Sequence, residues 1–227
     1  MIQNNTGFTS STYKKIRTTT FSKFETIHSL RHRALERKIT PKDKLKAGVG
    51  SIAGLALPMA YMMKKQKIKN PLKLEYLTKD MVTLSGASIV GGVGIGSIGE
   101  NKKTKINKIK EGIFQFFNAS IPVILTAGGL KLCEKSKKLN NTPSKLLATL
   151  IGISGGVVMA YKLSNLVCNP QNKEPERKFN LKDSIVNIDD LFGALALAKI
   201  PVIKNIKVER ALPFVYSLCG YKAGESN

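Results

Sequence analysis

The chain has 227 residues, 37 Lys and Arg against 15 Asp and Glu, a formal charge of +22 and a mean hydropathy of −0.08. Hydrophobic residues make up 42% and are clustered, which excludes disorder throughout, and three cysteines are too few and odd in number for a disulfide scaffold. Only six of the 37 basic residues are Arg, so the guanidinium fork that reads base edges is scarce and sequence-specific nucleic-acid recognition is disfavoured.

The first 46 residues read as a separate basic polar arm. No apolar run follows Met1, so a secretory signal peptide is not expected. Ser22 and Glu25 have capping-box spacing, and Phe21, Phe24, Ile27, Leu30 and Leu35 recur at three to five residues. That pattern predicts a partly amphipathic helix which Thr40-Pro41 ends. Its Lys23, Arg31, Arg33, Arg37 and Lys38 are placed to meet an anionic membrane surface. The scarcity of acids and frequency of Ser and Thr equally suit a mitochondrial transit peptide, and a bland solvated helix is a third reading. His28 and His32 share a face at zinc-ligand spacing, but Arg31, Arg33 and Arg37 beside them repel a metal.

Four windows then carry no charge at all: 47–63, 81–99, 112–130 and 146–161, each bracketed by lysines. As helices they reach about 24 to 29 Å, and flanking lysines can snorkel to make up a bilayer core of about 30 Å. A water-facing helix would show charges on its outer face, and glycine costs about 1 kcal/mol there, so the windows predict transmembrane helices rather than buried helices of a soluble domain. The glycines are patterned. Gly50 and Gly54, Gly92 and Gly96, and Gly152 and Gly156 each form G-x-x-x-G, extended to Ser88 in one series and to Ala148 and Ala160 in another. Small residues four apart make a groove that another backbone can enter. In the third window Pro122 is expected to bend the helix, and Asn118 one turn earlier is a candidate polar group. Lysine counts in the connections favour a cytoplasmic N-terminus.

After 161 the character changes. A polar loop precedes two short apolar pieces, 191–203 and 211–221, which are too short to span and read as an interfacial or re-entrant helix pair, or as a small helical cap on the bundle. Asp189 and Asp190 precede the first piece, and Lys199 lies within it. They read as a helix N-cap, or as a buried polar site should the stretch enter lipid. Cys133, Cys168 and Cys219 have no CxxC spacing, and Gly91 to Gly96 lacks the Lys-Ser/Thr of a phosphate loop, so no cofactor or metal is expected.

The expectation is an all-α small polytopic membrane bundle in three parts: 1–46, a four-helix hydrophobic bundle at 47–168, and 169–227. Its role reads as a non-enzymatic scaffold, assembly or conduit component. Its partners would be anionic lipid and a second copy docking through the glycine grooves. Its place would be a bacterial inner membrane, or the mitochondrial inner membrane in a eukaryote. The alternative is a peripheral or soluble helical protein that holds anionic lipid or nucleic acid with its lysine-rich loops. Glycine-rich windows behind a basic arm are similar in outline to the mitochondrial inner-membrane translocases, a likeness of architecture alone.

Overall fold

A computed structural model describes residues 39–168 and 208–226. Among them every regular element is helical, in the order α1 (Pro41–Gln66), α2 (Thr78–Gly96), α3 (Lys102–Lys135), α4 (Thr142–Cys168) and α5 (Leu212–Glu225). Short 3₁₀ turns at Pro71–Lys73 and Val208–Ala211 precede α2 and α5.

Local chemistry sets the helix starts. Thr40 and Asp43 exchange bonds in a capping box, with Thr40 N donating to Asp43 Oδ2 at 2.8 Å and Asp43 N to Thr40 Oγ1 at 3.3 Å, and Pro41 sits where its missing N–H costs nothing. Thr40-Pro41 therefore begins α1, inside the stretch read as an arm. Asn101 caps α3 by accepting from Thr104 N, and Asn141 caps α4 by accepting from Ser144 N, both at 2.9 Å.

The helices also overrun the charge-free windows. α3 has 34 residues and includes the lysine-rich stretch after Asn101 that reads from sequence as a connection. Lys and Glu are good helix formers, so charge marks where the chain meets water rather than where the helix stops.

Three helices, α1, α3 and α4, are long and apolar enough to cross a membrane. The fourth expected span, α2, is not among them. It has 19 residues, opens with Lys79 and Asp80, and is diluted by glycine and serine.

Packing follows the small residues. α1 and α2 are antiparallel, Gly50 meeting Gly91 and Gly54 meeting Ala87. α2 and α5 run parallel, with Gly92 on Gly220 and Gly96 on Gly224. α3 and α4 are antiparallel, with Gly152 against Thr126 and Gly156 against Pro122. α5 also packs on α1 and α3, so it lies inside the bundle, while α4 makes its main contact with α3. Within the 211–221 piece, Leu212, Tyr216 and Cys219 are core residues, as is Ala223 further along α5, joined by Leu55, Met81, Leu84 and Val123. The 191–203 piece lies outside the described residues.

Candidate functional site

Two features of the interior have chemical character: close backbone contacts at glycine, and a layer of polar side chains across the bundle.

The contacts are tight enough that nothing larger than glycine fits. A β-carbon on Gly92 would lie 2.6 Å from the carbonyl carbon of Gly220, and one on Gly96 would lie 2.6 Å from the Gly224 oxygen. On Gly54 it would meet Ala87, and on Gly156 it would lie 2.8 Å from Pro122 N. Ser88 closes the other side of Gly220, Ala148 packs on Gly129, and Ala160 is fully buried. All nine small residues singled out from sequence thus face or lie within interfaces of this chain. A second copy could enter these grooves only by displacing one of the chain's own helices. Gly94, Gly128 and Gly155, by contrast, look onto open space.

The polar layer links four helices. Ser51 on α1 donates to the Ser217 carbonyl of α5, which uses its single proton, so the 3.1 Å contact between Ser51 and Ser88 has Ser88 of α2 as donor. By the same count Ser85 donates to the Val82 carbonyl at 3.0 Å and accepts from Ser120 of α3 at 3.4 Å. Gln115, Asn118 and Thr126 lie buried on the same side of α3, and Gln115 donates to Glu111 at 2.7 Å.

Two lysines act at helix ends. Lys108 of α3 is fully buried and donates to the Gly224 carbonyl in the last turn of α5. Lys46 of α1 donates at 2.8 Å to the Ile98 carbonyl just past α2. Each ammonium meets the negative end of a neighbouring helix, where carbonyls lack a partner within the helix.

Of the residues read as a possible polar site, Asn118 is in this layer, and Asp189, Asp190 and Lys199 lie outside the described residues. So do Lys23, Arg31, Arg33, Arg37 and Lys38. The three cysteines carry no disulfide, and among the described residues no group of His, Cys, Asp and Glu could hold a metal ion. Sequence reasoning missed Lys108 and the Gly220–Gly224 pair. Both had a signal. The buried face of α3 recurs at three or four residues from Cys133 back to Gly112, and continuing it upstream reaches Lys108 and Thr104. Gly220 and Gly224 are themselves a G-x-x-x-G.

No protein-family model matches this chain, and comparisons with curated proteins and with solved structures find none similar to it.

Proposed function

We propose that this chain is an integral membrane protein with a scaffolding or assembly role, built as a close-packed helical bundle. The observation that carries the reading is an inverted distribution of polarity. Leu57 on α1 is 80% exposed and Leu150 on α4 is 61% exposed, alongside Val49, Ile52, Leu132, Ile151 and Leu166, while Ser85, Ser88, Lys108 and Thr126 are wholly enclosed. In water that arrangement leaves a large apolar belt unsatisfied. In lipid it is favourable, because the belt meets acyl chains while Ser85, Ser88 and Lys108 find partners on neighbouring helices.

On this reading α2 also lies within the bilayer. α1, α3 and α5 pack around it, so Ser85, Ser88, Gly92 and Gly96 meet protein rather than lipid and the helix needs less apolarity than its neighbours. The polar layer serves as glue between helices, which favours a scaffold over a catalyst. A bacterial inner membrane, or a mitochondrial one in a eukaryote, is the proposed location.

Alkaline carbonate extraction of membranes expressing the full chain tests this. Retention in the pellet is expected, together with release by detergent. Full release by carbonate refutes the integral reading and leaves a peripheral basic protein.

A further inference from the structure

The connection between α1 and α2 is short, basic and unusually well tied down. Gln66, the last residue of α1, closes it from both sides: its Nε2 donates to the Glu75 carbonyl at 2.7 Å, and its Oε1 accepts from Glu75 N at 3.0 Å. Inside that ring Asn70 accepts from Leu72 N at 2.9 Å and starts the turn, and Leu74 and Tyr76 are buried as anchors. Lys67 adopts a left-handed conformation, φ 56°, that turns the chain out of α1.

What this frame displays is cationic and apolar together. Lys64, Lys65, Lys67, Lys69, Lys73 and Lys79 are all exposed, and among the described residues none of them makes an ion pair. Two acids lie nearby, and one, Asp80, is engaged in accepting from Leu77 N at 3.0 Å. Leu72 and Leu77 are exposed among these lysines rather than turned inward. The α3–α4 connection at the same end of the bundle repeats the combination with Lys137, Lys138 and an exposed Leu139.

We propose that the α1–α2 connection is a preformed binding loop for the phosphate head groups of anionic lipids, with Leu72 inserted among the acyl chains beside them. The inference rests on the membrane reading above and adds the ligand class and the residues that hold it. Charge complementarity supplies the attraction, roughly fivefold in affinity for each lysine near an anionic surface. The Gln66 ring supplies order in advance, so little freedom is lost on binding. Lysine suits this partner because lipid phosphates in a fluid leaflet have no fixed orientation for a guanidinium fork to match.

The test uses the full chain in nanodiscs of phosphatidylcholine containing a minor fraction of phosphatidylglycerol, reading the lipid retained on mild detergent isolation by mass spectrometry. Wild-type protein is expected to retain phosphatidylglycerol preferentially. Replacing Lys67, Lys69 and Lys73 together by Gln should cut that preference about tenfold or more, allowing for partial screening. Replacing Lys102, Lys103 and Lys105, exposed at the opposite end, is expected to cut it less than about threefold. Gln66→Ala, which keeps every charge, should weaken retention through loss of order. Equal losses from the two lysine triplets, no preference in the wild type, or an unchanged Gln66→Ala protein each overturn the loop. So does tighter retention of a single-stranded oligonucleotide than of the lipid. Failure of the chain to enter nanodiscs at all sinks the membrane reading instead, so the two failures are distinguishable.

Discussion

Gly92 offers the sharpest test of how the bundle is held. A single added methyl at this position would lie 2.6 Å from the Gly220 carbonyl carbon and 3.1 Å from its Cα. Ordinary carbon contacts are about 3.5 to 4.0 Å, so α2 and α5 would have to part by close to 1 Å. That separation weakens contacts along the whole interface, including Gly96 on Gly224, and overpacking of this kind costs about 1–3 kcal/mol. Gly94, two residues on in the same helix, has nothing within 4 Å. There the same methyl is expected to be neutral or to stabilise by up to about 1 kcal/mol through helix propensity. The reasoning thus predicts a gap of about 1–4 kcal/mol between Gly92→Ala and Gly94→Ala. Thermal denaturation in detergent measures it, and Cys219, buried beside Gly220, reports locally through its rate of thiol labelling. Equal stability and equal labelling in the two variants would refute the argument. Gly99 is not a fair control, although it stands outside the four-residue series. Its φ of +79° penalises any side chain there.

At the second interface Gly156→Leu is expected to detach α4 from α3 and speed labelling of Cys168, whereas Gly155→Leu, facing open space, should not. Ser51→Ala should cost about 1 kcal/mol, and the Ser51→Ala/Ser88→Ala double variant should cost less than the two singly, because both act on one bonded group. Burial pushes the Tyr76 hydroxyl from 10.0 up to about 12. Since the raised value belongs to the folded state, its contribution is complete below pH 10 and is lost as the pH climbs through about 12, and Tyr76→Phe should remove that loss on alkaline titration. For topology, single cysteines at Lys69 and Lys137 should be labelled from one side of a sealed vesicle and one at Asn101 from the other.

Much of the fold was legible because charge is excluded from the apolar interior of a membrane helix. The windows containing Gly50, Pro122 and Gly156 each fall within a helix long enough to span. Their ends were not legible by the same rule. Asn101 and Thr40 carried the true starts as caps, but lysines that follow them sit on helical turns emerging from the apolar zone, and a count of charges cannot separate such turns from loops. α2 shows a different limit of that rule. Its window passes a test for absence of charge, yet an apolar helix and a small-residue helix are different objects, and only the first is apolar enough by composition to cross a membrane.

The helix at 211–221 was legible, but its packing against α1, α2 and α3 was not, for a related reason. A length criterion treats each helix as crossing alone, and 14 residues reach only about 21 Å. A helix with one face packed on α1, α2 and α3 is solvated there by protein while Phe214 and Leu218 face outward, so what matters is whether its end carbonyls find donors. Lys108 answers that need at Gly224. Its charge would be costly if buried without a partner, but placed against the negative end of α5 it satisfies a buried carbonyl and the helix dipole together. Replacing it with Met keeps the length and removes the donor, which should cost about 1–3 kcal/mol and loosen α5 from its C-terminal end. Faster labelling of Cys219 than of Cys133 in the Lys108→Met protein is the expected signature. An unchanged Cys219 rate would mean that glycine packing alone holds α5 and that the buried ammonium has another use.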